Sequence, residues 1–124
     1  MRRLAGQFEA VIPAGLVDGE GSLRLLAQPL HRYRSERHKV VDGAVFAFVM
    51  GTDPEIILLI EAVESGESVE WQFAVAPFSN LPMQLNHNAQ NVWECSRSQA
   101  YVSDRPHFLY WAVSVRDKML ADSP

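Results

Sequence analysis

The chain has 124 residues, 48% of them hydrophobic, with a formal charge of -4 at pH 7 and a single cysteine. A chain of this length buries roughly two thirds of the surface it exposes when unfolded, so it can hold a core without a metal or a disulfide. The acidic balance argues against a general binder of nucleic acid or of anionic membranes, whose affinity rests on cationic contacts.

Cys95 is the only cysteine and cannot form an internal bridge. The opening MRRLAGQFEAVIPAG has two arginines but no apolar run long enough for a signal peptide. The longest uninterrupted apolar stretch, Ala44 to Met50, has seven residues, against the ~20 that span a bilayer. A single domain over residues 1–124 is expected, in a cytoplasmic setting and away from membranes.

The first expected strand runs from Gln7 to Ile12, with Phe8, Ala10 and Ile12 on one side until Pro13 ends it. Gly15, Asp18, Gly19 and Gly21 punctuate a link. Ser22 to Tyr33, interrupted by Pro29, then reads as an edge strand, or as a strand bent at a bulge that passes between two sheets. His31 to Lys39, HRYRSERHK, carries four of the eleven Lys and Arg residues and reads as a surface loop.

From Val41 to Pro77 three apolar runs are joined by two turn signals, which is the pattern of an antiparallel meander. Ala44 to Met50 and Ile56 to Ile60 contain no polar side chain, whereas a sheet wetted on one face alternates apolar with polar residues. A turn with Thr52 and Asp53 at its tip sets Phe48 opposite Ile57 and Phe46 opposite Leu59. A second turn over Glu64 to Ser68 sets Leu59 opposite Phe73 and Glu61 opposite Trp71. Phe46, Phe48, Ile57, Leu59, Trp71, Phe73 and Val75 then form the core face. The reverse face holds Val45, Ala47, Val49, Ile56, Leu58, Ile60, Ala74 and Ala76. A slip of one residue in either turn exchanges residues between these faces.

Met83 and Leu85 alternate with Gln84 and Asn86, and a polar tip leads to a return strand from Val92 to Cys95, which makes a further hairpin. After the link SRSQAYVSDRP, His107 to Val115 is apolar on both faces and reads as a central strand. Arg116 to Ala121 alone has helical character. The expected fold is therefore all-β, an antiparallel β-sandwich of about eight strands, jelly-roll-like, with a closed barrel as the alternative.

No catalytic signature is present. The histidines His31, His38, His87 and His107 lack the spacings that put two imidazoles on one face, so no metal and no cofactor is expected. Cys95 follows a tryptophan on an expected strand, where a thiol is buried and inert. Glu55 and Glu61 share a face but are six residues apart, roughly 20 Å at ~3.3 Å per residue, too far for concerted acid and base work.

Two readings of function remain. The first is a non-enzymatic binding or assembly domain, a homo-oligomer (dimer or higher) packed through the reverse sheet face, with Val45, Ala47, Val49, Ile56, Leu58, Ile60 and Ala74 at the interface. The second is a small-ligand or carbohydrate-binding module using the hairpin Asn86 to Trp93. There Trp93 would stack on a sugar ring while Asn86, His87, Asn88 and Asn91 meet its hydroxyls.

Overall fold

The computed structural model describes residues 1–13, 21–79 and 81–95, and the backbone of 111–114. Among these residues a single helical turn, α1 (Arg2–Ala5), precedes nine strands: β1 (Phe8–Val11), β2 (Arg24–Leu25), β3 (His31–Ser35), β4 (Val40–Met50), β5 (Asp53–Ser65), β6 (Ser68–Pro77), β7 (Met83–His87), β8 (Gln90–Cys95) and β9 (Trp111–Ser114). They form two antiparallel sheets. The smaller has the order β1-β7-β8; the larger runs β2-β4-β5-β6-β9, with β3 also paired to β4. This is the expected antiparallel sandwich, and its larger sheet is built on a meander in which β4, β5 and β6 are neighbours in sequence and in space.

One core lies between the sheets. Phe8, Ala10, Met83, Leu85 and Trp93 from the smaller sheet meet Phe46, Phe48, Ile56, Leu58, Ile60, Phe73 and Val75 from the larger, and α1 adds Leu4 and Ala5. The rings of Phe8 and Phe73 meet edge to face across the layers with centroids 5.0 Å apart. Each large aliphatic or aromatic side chain so buried contributes about 1.5–3 kcal/mol, which makes this layer the main source of stability.

The meander's registers differ from the sequence expectation by one residue in each hairpin, and the differences have identifiable causes. The first hairpin closes at Met50 and Asp53, with Gly51 (φ 62°) and Thr52 as its loop. A glycine with positive φ at the first loop position is what a two-residue hairpin of the primed kind needs. Moving the tip by one residue shifts the pairing by two and leaves the faces unchanged. The pairing then slips between Phe48 and Val49, so that Phe48 stands opposite Ile56 while Val49 stands opposite Pro54. Glu55 is the extra residue of a β-bulge, and that single residue exchanges the faces of β5. Ile56, Leu58 and Ile60 therefore enter the core beside Phe46 and Phe48, and Ile57 and Leu59 turn outward.

The second hairpin closes at Ser65 and Ser68 on Gly66 (φ 64°) and Glu67, which pairs Ile60 with Phe73 and Leu59 with Ala74. This one-residue shift cancels the first. Phe73 and Val75 consequently remain on the side of Phe46 and Phe48, as expected, and β5 alone changes face. Three of the expected interface residues, Ile56, Leu58 and Ile60, are thus core residues with no measurable exposure.

Elsewhere the expected strand Ser22 to Tyr33 does pass between the sheets, but between Leu23 and Arg24 and not at Pro29, which separates two strands that both pair with β4. Ser22 bridges Val11, and the Leu23 amide donates to the Ala10 carbonyl at 2.9 Å, after which β2 joins β4 in the larger sheet. The basic run is a strand for half its length: β3 pairs with β4, and only residues 36–39 turn. Its charges are tolerated because β3 lies at an edge among the described residues. β9 pairs with β6 at the end of the larger sheet's order among the described residues, not at its centre. The expected helical stretch from Arg116 to Ala121, the link SRSQAYVSDRP and most of the link after Pro13 lie outside the described residues.

Candidate functional site

The two sheets differ in what they turn away from the core. On the smaller sheet the outward positions are Glu9, Gln84, Asn86 and Glu94, paired across strands, together with Val11. That is the alternation of a sheet with one wet face. On the larger sheet the outward rows are Val45, Leu59 and Ala74, then Ala47, Ile57 and Ala76, with Val49 beyond them. Every one of these side chains is apolar. None belongs to the core cluster; Val45, Ile57, Leu59, Ala74 and Ala76 are half-buried, whereas Ala47 and Val49, both expected at the interface, are already buried within the chain.

A polar row borders this apolar surface. Tyr33, Gly43, Glu61, Gln72 and Ser114 are successive cross-strand partners on β3, β4, β5, β6 and β9. Gly43 is required here by close approach: a Cβ at that position would lie 2.5 Å from the Tyr33 ring. The ring crosses over Gly43, and its hydroxyl donates to Glu61 Oε1 at 2.5 Å while Gln72 Nε2 donates to Glu61 Oε2 at 2.8 Å. Burial, the hydrogen bond to Glu61 and the charge of that carboxylate, in that order, raise the Tyr33 pKa well above its ordinary value. Both carboxylate oxygens of Glu61 are engaged, so the group serves to orient its neighbours. It is poorly placed to accept a substrate proton.

Beside this row, Arg32 Nη2 donates to both carboxylate oxygens of Asp42, at 2.6 and 2.7 Å, and His31 stacks on Tyr33 with centroids 6.1 Å apart. Arg32, Tyr33, Arg34 and Asp42 line a shallow depression of about 340 Å³. The ion pair is largely exposed and so adds little to stability.

The residues of the second reading are divided by the β7–β8 hairpin. Asn88 and Ala89 form its loop with φ of 48° and 67°, the paired positive dihedrals of a type I′ turn. Trp93 packs in the core cluster and offers no ring to a sugar. His87 is buried against Phe8, and its Nε2 lies 2.9 Å from Gln7 Oε1. Asn91 Nδ2 donates to Asn86 Oδ1 and to the Trp93 carbonyl, both at 3.3 Å, so these amides brace the hairpin.

The remaining chemical groups stand apart. Glu55 is buried at the bulge, with its Oε2 lacking a partner among the described residues, and its backbone carbonyl accepts from the Phe78 amide at 2.7 Å. Cys95 is buried, and burial pushes its thiol pKa up. His31 and His38 are exposed. Among the described residues no group of three or more His, Cys, Asp or Glu side chains is placed to hold a metal ion, and no helix is long and apolar enough to cross a membrane.

Sequence reasoning missed the cluster of Tyr33, Glu61 and Gln72. A glycine inside an otherwise apolar strand was the available signal, because it marks a place where another group approaches the backbone. No protein family, curated protein or solved structure matches this chain.

Proposed function

We propose that the protein is a non-enzymatic binding or assembly domain that self-associates through the outer face of its larger sheet. The observation that carries this reading is the contrast between the two outward faces. The smaller sheet turns glutamate, glutamine and asparagine to water, whereas the larger presents half-buried Val45, Ile57, Leu59, Ala74 and Ala76 on its outward side. Corrected for the bulge and for burial, the proposed interface keeps Val45 and Ala74, Ile57 and Leu59 stand in place of Ile56, Leu58 and Ile60, and Ala47 and Val49, already buried within the subunit, drop out.

A contiguous apolar patch of several hundred Å² is at the limit for soluble monomers. Packing two such faces back to back would remove about 800 Å² per subunit from water, the size of a standard stable interface. The row of Tyr33, Glu61 and Gln72 would mark the patch's polar border, where satisfied hydrogen bonds remain compatible with water on one side.

Paired substitutions on adjacent residues separate interface from core. Leu59→Lys places a charge on the outer face, so the variant should stay folded by circular dichroism but run as a monomer in light scattering. Leu58→Lys buries an unpaired ammonium group in the core and should cost at least about 3 kcal/mol, unfolding much of the protein. A Leu59→Lys protein with the wild-type mass would refute the proposed interface.

A further inference from the structure

We infer that the edge of β3 left unpaired among the described residues is a docking site for an extended acidic peptide segment of another protein, added as a further strand to the larger sheet. The inference does not depend on the outer-face assembly, because it concerns the sheet's edge.

β3 pairs with β4 on one side. On the other, among the described residues, His31–Ser35 have no further strand, and the one added contact is the His38 amide donating to Ser35 Oγ at 3.2 Å. Such an edge presents unpaired amide and carbonyl groups that accept an incoming strand. Its sequence, HRYRS, contains two arginines, one histidine and no acid, and the turn that follows adds Arg37, His38 and Lys39 with a single acid, Glu36. In a chain of net charge -4 this is a local concentration of positive charge.

Those charges decide which strand can add. A second copy of β3, related by a two-fold axis through Tyr33, would place each Arg32 opposite the second copy's Arg34, and like charges directly opposed are destabilising. The edge is thus guarded against its own kind. A strand carrying carboxylates meets the opposite situation. Arg32 is already held by Asp42, whereas Arg34 has no partner among the described residues, and both border the depression of about 340 Å³. A carboxylate seated there would form a charge-assisted bond with the Arg34 guanidinium.

The neighbouring residues set a second requirement. His31 and Tyr33 stack with an interplanar angle of 15°, forming a flat surface on the side of the outer face. Because side chains alternate along a strand, the segment that fits best alternates Asp or Glu, aimed at Arg34, with apolar residues laid against the His31 and Tyr33 rings.

The test uses the full chain and a short labelled peptide in which Asp or Glu alternates with Val. Anisotropy should show saturable binding, and amide exchange should slow at His31–Ser35. Replacing the acids by Asn and Gln, or N-methylating alternate peptide amides, should each abolish it. Arg34→Glu, an exposed change that leaves the circular dichroism intact, should weaken binding about tenfold, the loss expected for one charge-assisted bond. No binding, equal binding of the Asn and Gln peptide, an unchanged affinity in Arg34→Glu, protection at another strand, or tighter binding of a uridine oligonucleotide would each overturn the inference.

Discussion

At the scale of single residues, backbone geometry and one hydroxyl allow direct tests. Ala89 is held at φ 67° in the β7–β8 loop, a conformation that costs an alanine roughly 1 kcal/mol and a glycine almost nothing. Ala89→Gly should therefore raise stability by about 0.5–1 kcal/mol in chemical denaturation, despite the added entropy of the unfolded chain. Tyr33 offers a pH test. Its folded pKa is raised above the unfolded value of about 10, so the stability it provides is complete below about pH 10 and is lost as pH rises further. Wild type should lose stability on going from neutral pH to above pH 10 more steeply than Tyr33→Phe. Parallel profiles would show that the hydroxyl is not protected by the fold.

The tip residue Asn88 was legible in the sequence, because asparagine tolerates the left-handed region and a six-residue tip, polar at all but Ala89, separated the two runs. Trp93 was legible as a residue of the expected return strand, but His87 was not: its polar neighbours placed it in the hairpin tip, whereas it sits at the inward phase of a strand, and strand phase decides burial more firmly than local composition does.

At the scale of elements, the bulge at Glu55 governs which residues of β5 are inside. Deleting Glu55 removes the extra residue and would turn Ile57 and Leu59 inward in place of Ile56, Leu58 and Ile60, against partners shaped for the present packing. The deletion should therefore abolish cooperative unfolding. Glu55→Ala keeps the residue count and removes a buried carboxylate oxygen that lacks a partner among the described residues, so it should be neutral or stabilising. A loss above about 2 kcal/mol in that variant would show that the carboxylate, and not merely its place in the chain, supports the fold.

The meander itself was legible, since apolar runs of strand length separated by Gly51 and Gly66 admit few other readings. Its register was not, because a bulge leaves no mark in hydrophobic patterning when both faces are apolar. Ile56 and Ile57 are equally greasy, and only pairing with β4 distinguishes them. The basic segment failed for the opposite reason. Charge made HRYRS look like a loop, whereas an edge strand keeps one border in water and tolerates arginine on it.

At the scale of the whole molecule, the sandwich followed from short strands at regular spacing with no sustained helical periodicity. The two-sided apolar character of β4 and β5, read from the sequence alone, persists in the structure even though β5 is turned over. Val45, Ile57 and Leu59 now make up that surface. A face of this kind is either covered by association or left as a liability for aggregation. The basic edge at β3 and the apolar face beside it would allow one protein to hold a copy of itself by one surface and an acidic strand by the other.

The most direct measurement is the mass of the purified protein in solution, taken by light scattering across a wide concentration range and repeated for Leu59→Lys. The proposed assembly predicts a dimer or larger species that dissociates on dilution, with Leu59→Lys a soluble, folded monomer. A wild-type protein that stays monomeric at high concentration, with Ile57 and Leu59 in contact with water, would contradict it.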